Sequence, residues 1–555
     1  MGRWRMDRDM AFRIFCVVLL LILAGLGTGC ALPYPPCEPG AILYPADRTL
    51  QGHGLRLGVI NASPLFPADL AVALRASQAD LAVIDDVRWG LVEPEPPRGE
   101  EHTYLWDEEV VALDTRVQAY QQAGFEPVLV LRAWNVWARA VSPEGTTVAS
   151  TPPRPEYEDD YAAWVAAVVE RYDADGVDDF PGLVDTDGDG RPNPVRYYQI
   201  ETEAVNGYWW QGVEATSAVD DYLRLLHLAS TAARGAYGEV RILVATVAGL
   251  DLLDGFPTPA ELSDIVTNIH PSVCGALSGL RRLLAARADY DIVAVHSLSD
   301  YTGLATLAAW VATLAPADTP VWITGATSAP ALLGDPQTLR VRPRYPRDGE
   351  ALWAALQNPQ APDHATVVTW YRAEQARLAF KKWVYAAVYG FDALVLGLEQ
   401  DRPDLQNPAL GQRDLAFQGL LEPADGSGPP APRPALTALA LVQAQLGGYR
   451  TVQRLPDLGP HVQAFVFTVE GLPVYVFWYD DGVARLPDDP PAGTTITLPV
   501  RSPSLTLFTV PTRREQTGPI VTPVIPVAGR VHLTITETPV LLRGEWASLY
   551  WPWIR

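Results

Sequence analysis

Short apolar runs alternate with longer helical segments from residue 55 to residue 399. Each run is rich in Val, Ile and Leu and is bounded by polar or turn residues, as expected of a buried β-strand. The predicted strands cover residues 55–61, 80–86, 126–132, 195–201, 240–246, 291–297, 320–325 and 391–399. The intervening segments show helical periodicity, and Trp164, Val165 and Val168, for example, fall on one helical face.

This alternation predicts a (β/α)8 barrel over residues 53–423, because parallel strands need crossover helices between them. A doubly wound sheet is the alternative with the same order of elements. Its first strand is usually followed by a Gly-rich phosphate-binding turn, whereas residues 61–67 of this chain read NASPLFP. The barrel is therefore the favoured fold.

The pattern changes after a turn-rich break at residues 424–434, which reads ADGSGPPAPRP. One more helix is predicted at the start of the last region, residues 435–555, and closely spaced strands follow it. The predicted strands cover residues 461–470, 472–481, 494–500, 504–510 and 531–537. Short strands separated by Gly, Pro and Asp favour an antiparallel β-sandwich.

Residues 1–30 have the pattern of a bacterial signal peptide. An apolar run from Ile14 to Leu26 follows several arginines and gives way to the small residues before Cys30. Small residues directly before a cysteine resemble the lipobox of lipoproteins, although Gly27 stands where an aliphatic residue is usual. We expect an exported protein that is lipidated at Cys30 and held on the outer face of the membrane or envelope by a Pro-rich tether at residues 31–52. The alternatives are ordinary cleavage and an uncleaved anchor.

Composition and charge narrow the functional classes. The chain has 42 Lys and Arg against 65 Asp and Glu, and its formal net charge is −23. This balance excludes a basic nucleic-acid binder and argues weakly against anionic polysaccharides. Hydrophobic residues make up 48% of the chain, enough for a large globular core. Outside the signal region the cysteines are Cys37 and Cys274, which form one disulfide or are two buried free thiols.

Several strand ends carry motifs of one enzyme group. The segments DDVRWGLVEPEPPRGEEHTYLWDEEV, QQAGFEPVLVLRAWNVW, VRYYQIETEAVNGYWWQG, VHSLSDY and PVWITGATSAP follow one another along the barrel. Together they resemble the clan A glycoside hydrolases, including the β-xylosidase, α-L-iduronidase and thermophilic β-galactosidase groups. The resemblance spans about residues 55–545 and implies a barrel followed by a β-sandwich. It also implies a catalytic acid/base at the end of the fourth strand and a nucleophilic Glu at the end of the seventh.

Carried onto this chain, the resemblance places the acid/base at Glu203 and the nucleophile at Gly325, which has no side chain. Thr202 stands where the family has Asn. A retaining glycosidase needs two carboxyl groups ~5–5.5 Å apart, and an inverting one ~6.5–9.5 Å. Any second carboxylate must therefore come from elsewhere. The candidates are Glu201, Glu399, Asp401, Asp85 and Asp86.

Aromatic and polar residues near the predicted strand ends are candidate sugar contacts, because flat rings stack on sugar faces. The candidates are Trp89, Arg132, Trp134, Trp137, Thr202, Asn206, Trp209, Trp210 and His296. The alternatives are structural: Trp residues also fill cores, Glu203 would fit a strand-end salt bridge, and a lone His is as often a satisfied core residue.

The run DTDGDGRPN places Asp185, Asp187 and Asp189 at alternate positions, with Gly190 at the turn, as in the first half of an EF-hand loop. The closing acid of such a loop is missing, because Arg196 stands at its twelfth position. The sequence predicts a structural calcium site on the barrel face opposite the active site and no catalytic cofactor. The alternative is a solvated Asp/Gly turn.

Three functional hypotheses follow. The first is a glycoside hydrolase that acts on extracellular glycans with Glu203 as acid/base and a relocated second carboxylate. The second is a catalytically inactive carbohydrate-binding surface lipoprotein, since Gly325 replaces the nucleophile. The third is a scaffold of the cell envelope that uses the barrel as a rigid body. The expected partners are carbohydrate and, through Cys30, the membrane.

Overall fold

The computed structural model describes residues 50–51, 54–62, 65, 67–108, 110–144, 147–204, 209–214, 216–245, 281–316, 318–330, 332, 348–402, 416–423, 429–455, 458–500 and 502–544. The predicted signal peptide, Cys30, Cys37, Asn206 and Cys274 lie outside these residues.

Eight parallel strands close into a barrel in sequence order, and β2 pairs with β9 to complete the ring. Strand β1 (Leu50–Gln51) belongs to a different sheet. The barrel strands are β2 (Arg56–Asn61), β3 (Leu81–Arg88), β4 (Glu126–Arg132), β5 (Tyr197–Ile200), β6 (Arg241–Ala245), β7 (Ile292–Ser297), β8 (Val321–Ala326) and β9 (Ala393–Leu398). Each predicted strand lies within two residues of the observed one, and the predicted barrel is confirmed.

Amphipathic helices pack around the barrel. The α-helices described over their whole length are α1 (Pro67–Leu74), α2 (Trp89–Val92), α3 (Leu113–Gln122), α4 (Glu158–Arg171), α5 (Ala218–Ala236), α6 (Gly303–Leu314), α7 (Gly349–Gln357), α8 (His364–Val388) and α9 (Pro434–Leu446). In α5, for example, Tyr222, Leu225 and Ala229 are buried on one face at helical spacing. Among the described helices, none combines the length and the apolar character that a bilayer crossing needs.

Alternate residues of each barrel strand face opposite sides of the sheet. In β3, Leu81 and Val83 belong to the cluster that fills the barrel interior, whereas Ala82 and Ile84 pack outward with the helices. The same interior cluster takes residues from β4, β6, β7, β8 and β9. This period of two determines which side chains point toward the barrel axis at either end.

The amino end of the barrel axis carries Arg56, which is held by several partners. Its Nε lies 3.0 Å from Asp80 Oδ2, its Nη2 lies 2.6 Å from Glu126 Oε2, and its Nη1 donates to the hydroxyl of Tyr197 at 3.3 Å. The guanidinium also packs over the rings of Tyr197 and Trp322. Burial alone would lower the pKa of Arg56, but the charges of Asp80 and Glu126 raise it above its ordinary value.

The region after the barrel forms two antiparallel sheets. The larger sheet has the order β1-β10-β11-β12-β17-β14-β15, and a two-stranded sheet joins β13 to β16. The strands after the barrel are β10 (Thr451–Arg454), β11 (Val462–Val469), β12 (Leu472–Tyr479), β13 (Gly493–Pro499), β14 (Leu505–Thr509), β15 (Ile520–Val524), β16 (Arg530–Thr536) and β17 (Val540–Gly544). Both sheets contribute to one apolar core, which confirms the predicted sandwich. Leu50 pairs with Val452, so residues just before the barrel join the sheet that follows it.

Candidate functional site

Five barrel strands end in a charged or titratable residue on their inward-facing side. The interior series Leu81, Val83 continues to Asp85, and the series Val128, Val130 continues to Arg132. We call the five residues the polar layer: Asp85, Arg132, Glu201, His296 and Glu399. Because the carboxyl ends of parallel strands share one face of the barrel, the layer lies where barrel enzymes place their chemistry.

Arg132 is the buried centre of an ion-pair network. Its Nε lies 3.1 Å from Glu201 Oε2, and its Nη1 lies 3.1 Å from Asp86 Oδ1. Its Nη2 donates to the carbonyls of Val148 and Trp209, at 2.7 and 3.2 Å, and the guanidinium packs over the Trp209 ring. All three nitrogens of Arg132 are therefore used within the fold.

Glu201 is the fully buried partner of Arg132. Its second oxygen accepts the backbone N–H of Ala133 at 2.5 Å. Burial raises the pKa of Glu201, and the charge of Arg132 and the bond from Ala133 oppose that rise. With no exposed surface and both oxygens bonded, Glu201 is a structural acid and has no access to a ligand.

Asp85 and Asp86 are neighbours in the chain, but their carboxylates differ in hydrogen bonding and in the direction of the pKa shift. Asp86 accepts hydrogen bonds from Arg88, at 2.8 and 2.5 Å, and from Arg132. Burial would raise the pKa of Asp86, but Arg132 and Arg88 hold it below its ordinary value. The pKa of Asp85 is raised by burial and by the charge of Asp86, against the opposing charges of Arg132, His296 and Arg116. Among the described residues, none donates a hydrogen bond to the Asp85 carboxylate or forms an ion pair with it.

Glu203 is joined to His296 across the barrel. Its Oε1 lies 2.7 Å from His296 Nδ1, and the two side chains are 6% and 21% exposed. Glu203 has a φ of +44°, Glu201 has +62°, and Asp86 has +66°. Such left-handed backbone is unfavourable for residues other than glycine and concentrates at functional sites, where packing holds it in place. The strained positions thus coincide with the candidate site.

The ring of His296 occupies the space beside Gly325. The two residues are paired in the β7–β8 ladder. A Cβ added to Gly325 would lie 3.0 Å from His296 Cδ2 and 3.1 Å from Nε2, closer than ordinary van der Waals contact. A side chain at the expected nucleophile position would therefore start against the imidazole that binds Glu203.

The remaining candidates for a second carboxylate are fixed by the fold. Glu399 is buried and accepts the backbone N–H of Ala62, at 3.0 and 3.2 Å to its two oxygens. Asp401 accepts hydrogen bonds from Arg372 and Arg433, at 2.7 and 2.8 Å. Of the five candidates, Asp85 alone has a carboxylate without such a bond among the described residues.

The structure separates the candidate aromatic contacts. Trp134 and Trp209 are half-buried and pack against Arg88 and Arg132. Trp89 is 0% exposed and packs against Trp137, Tyr161 and Trp164, and Trp210 is 1% exposed and donates its N–H to the carbonyl of Ala218. A buried ring has no free face for a sugar, so the expectation of sugar stacking is corrected for Trp89 and Trp210. Trp137 is half-buried and donates to the carbonyl of Glu93, and Thr202 is buried.

The acidic loop between α4 and β5 is exposed and closed by its own hydrogen bonds. Asp185 accepts the backbone N–H groups of Gly188 and Gly190, at 2.6 and 2.8 Å, which lowers its pKa. One oxygen from each of Asp185, Asp187 and Asp189 lies within 4.8 Å of the others. An all-oxygen set of this kind suits calcium, and calcium binding at this loop stays a prediction.

Comparison with known proteins adds the fold relationship. No family model and no curated protein matches the sequence. The structure is similar to a monomeric β-xylosidase from Caulobacter crescentus, with a TM-score of 0.50 and 14% identity over 91% of this chain and 98% of that one. It is also similar to the catalytic domain of the GH30 xylanase C from Talaromyces cellulolyticus, with a TM-score of 0.51 and 9% identity over 91% and 99%.

The protein has the fold of clan A glycoside hydrolases. At these identities the likeness establishes the architecture, and the resemblance found in the motifs is confirmed at that level. The sequence motifs pointed to Glu203, His296 and Gly325, but the distinct state of Asp85 and the Asp86–Arg132–Glu201 network went unnoticed. The period of two along each strand would have pointed to Asp85, Arg132 and Glu201, because a charged residue follows the inward positions there. It does not point to Asp86, which lies off the inward series of its strand.

Proposed function

We propose that the protein binds glycans at the carboxyl-terminal face of its barrel and does not form a glycosyl-enzyme intermediate. The observation that carries this proposal is the contact between His296 and Gly325. A retaining mechanism needs a carboxylate that attacks the anomeric carbon from this position. Here the position has no side chain, and an imidazole lies against it.

The remaining site groups suit sugar recognition. His296 is partly exposed and is bonded to the buried Glu203, and imidazole and carboxylate groups are hydrogen-bonding partners of sugar hydroxyls. Trp134 and Trp209 lie on the same face of the barrel. Concave sites that combine aromatic faces with a few placed polar groups are typical of small-ligand binding. The β-xylosidase and the xylanase of similar fold act on xylose-containing glycans, which makes these glycans the first ligands to test.

Inverting hydrolysis is the second candidate function, and the unbonded carboxylate of Asp85 favours it. Asp85 would take a proton from water as the water attacks the anomeric carbon, and Glu203 would protonate the departing oxygen. The bond from Glu203 Oε1 to His296 counts against this role, because either His296 donates to an ionised Glu203 or the acid proton is directed to the ring.

Calorimetry and product analysis on the same samples separate these functions. The purified protein is titrated with xylo-oligosaccharides and a broader glycan panel, and released reducing sugar is measured after long incubation. We expect binding without release, and Glu203→Gln should weaken binding about tenfold by removing a charged hydrogen-bond acceptor. Asp69→Asn, at an exposed position on α1, is the matched control.

Two outcomes contradict binding without hydrolysis. Sugar release with inverted anomeric configuration that both Glu203→Gln and Asp85→Asn abolish would establish the inverting enzyme instead. A protein that binds no glycan in the panel would favour the envelope scaffold.

The proposal places the protein outside the cytoplasm, anchored by lipid at Cys30. Its support is the order of arginines, apolar run, small residues and cysteine at the start of the chain. Cells grown with radiolabelled palmitate should label the protein, and Cys30→Ala should abolish the label. Equal labelling of the variant would contradict lipidation at this cysteine.

A further inference from the structure

Asp85 combines an inward position with a carboxylate that the described fold leaves unbonded. It extends the interior series of Leu81 and Val83, and the residue is half-buried. Its backbone carbonyl accepts a hydrogen bond from Arg116 at 3.1 Å, so the backbone is held while the carboxylate is not. A half-buried carboxylate is less well hydrated than an exposed one, so its attraction to an approaching cation is stronger than it would be in bulk water.

The nearby arginines are bound elsewhere. Arg132 uses its three nitrogens on Glu201, Asp86 and two carbonyls. Arg116 donates to Asn61 Oδ1 at 2.6 Å and to backbone carbonyls, and it is buried. Arg88 is bound side-on by both oxygens of Asp86, which balances its charge. None of these three guanidinium groups donates to the Asp85 carboxylate. The charges of Arg132 and Arg116, together with that of His296, offset its burial only in part, so the carboxylate lacks a directly bonded counter-charge.

A ligand that carries a cation would supply this counter-charge. We propose that the glycan bound at the polar layer carries a free amino group, and that its ammonium pairs with the Asp85 carboxylate. This inference rests on the proposed glycan-binding function and names the ligand class of the same site. An ammonium paired with a carboxylate makes a charge-assisted hydrogen bond, which is about twice as strong as the neutral bond that a hydroxyl offers.

The charges around Asp85 also predict how tightly other classes of sugar should bind. An N-acetylated sugar loses the cation, so it should bind no better than its hydroxyl analogue. A uronic acid brings a carboxylate toward Asp85 and Glu203, while the nearby arginines already bind acids of the protein, and like charges repel. Burial and the charge of Asp86 raise the pKa of Asp85, and a bound ammonium would return that pKa toward its ordinary value.

The test uses ligands that differ in one substituent. Chitosan tetraose, chitin tetraose and cellotetraose share a β-1,4 backbone and carry an ammonium, an acetamide and a hydroxyl at the same carbon. Glucosamine, glucose, galactosamine and galactose serve as probes that do not depend on linkage. We expect each amino sugar to bind wild-type protein at least tenfold more tightly than its hydroxyl analogue.

Two variants locate the preference in the molecule. Asp85→Asn should reduce the amino-sugar preference, the ratio of the two affinities, to below threefold. Asp69→Asn removes an exposed carboxylate and should leave the preference unchanged, which controls for attraction of a cationic glycan to the net charge of −23. A melting curve for each variant separates lost recognition from lost folding.

The results distinguish this inference from the function on which it rests. Hydroxyl sugars that bind as tightly as amino sugars would overturn the amino-group proposal and leave glycan binding intact. Equal loss of preference in the two variants would also overturn it, because the effect would then come from overall charge. Failure of every sugar here and in the broader panel would contradict the proposed function and this inference together.

Discussion

The charged residues at the two ends of the barrel axis differ in whether the fold provides them with bonded partners. At the amino end, Arg56 is matched by Asp80 and Glu126 and packed on aromatic rings, so the fold itself supplies every partner. At the carboxyl end, Arg132 is equally well matched, but the carboxylate of Asp85 beside it has no hydrogen bond or ion pair among the described residues. The difference indicates that the charges at the amino end are matched within the fold, whereas the Asp85 charge at the carboxyl end is the one that our proposal pairs with a ligand.

Backbone conformation shows the same contrast. Within or directly after the barrel strands, the described residues other than glycine with left-handed φ are Asp86, Glu201 and Glu203. All three lie at the carboxyl ends of their strands. Strain that persists at one end of a barrel needs compensating contacts, and the Arg132 network supplies them.

The largest expected effect is at the centre of that network. Arg132→Met would leave Glu201 buried without its counter-charge, and we expect a loss of about 3–5 kcal/mol in the free energy of unfolding. The matched variant Arg56→Met at the amino end should cost less, because its partners are 47% and 30% exposed. Urea denaturation of both variants measures the difference. An equal or larger loss for Arg56→Met would contradict the assignment of Arg132 as the main electrostatic support of the site.

A carboxyl where the barrel meets the sandwich tests the same reasoning through pH. Burial raises the pKa of Asp480 to about 7, and the charges of Asp300, Asp481 and Glu537 add to the rise. The hydroxyl of Tyr301, from the barrel, donates to this carboxylate. The folded protein therefore binds the proton more tightly than the unfolded chain, so the contribution to stability is complete below about pH 4 and is lost as pH rises to about 7.

Asp480→Asn should remove this pH dependence. Three pKa units correspond to at most about 4 kcal/mol, and the gain of the variant over wild type should grow from pH 4 to pH 8. Thermal unfolding across this range measures it. A gain that stays constant with pH would show that Asp480 ionises in the folded state as freely as in the unfolded one.

A methyl group at residue 325 tests whether the His296 ring fills the space at the expected nucleophile position. Gly325→Ala would place a Cβ about 3 Å from the His296 ring, so the imidazole must shift away from Glu203. We expect a loss of about 1–3 kcal/mol in stability, as for other overpacked sites, together with weaker glycan binding. Calorimetry and thermal unfolding measure the two effects. A variant with unchanged stability and affinity would show that the position is open, which contradicts the basis of the proposed function.

The sequence predicted the barrel well because each barrel strand is an apolar run bounded by polar or turn residues. The strand predicted at residues 126–132, for example, has the same first and last residues as β4. It did not predict β1, β10, β15 or β17. Strand β1 has two residues and pairs with β10 about 400 residues away, and β15 carries Pro523 at the edge of its sheet.

The site was harder to predict because its chemistry depends on distant pairings. Motifs placed Glu203 and Gly325 at their strand ends. The hydrogen bond from Arg132 to Glu201, however, joins residues 69 positions apart, and a local sequence pattern cannot predict such a pairing. Trp89 follows a strand end in sequence, yet it begins α2, and its ring turns into the core. Proximity along the chain to a strand end therefore does not make a residue part of the site.

The most direct test of this account is the unfolding free energy of Asp85→Asn beside that of Glu126→Gln at pH 7. The account predicts opposite signs. Removing the unbonded charge of Asp85 should stabilise the protein by about 1 kcal/mol, whereas removing the charge of Glu126, which binds Arg56, should destabilise it by about 1 kcal/mol. If Asp85→Asn destabilises the protein as much as Glu126→Gln does, the fold already satisfies Asp85, and the contrast between the two ends of the barrel is wrong.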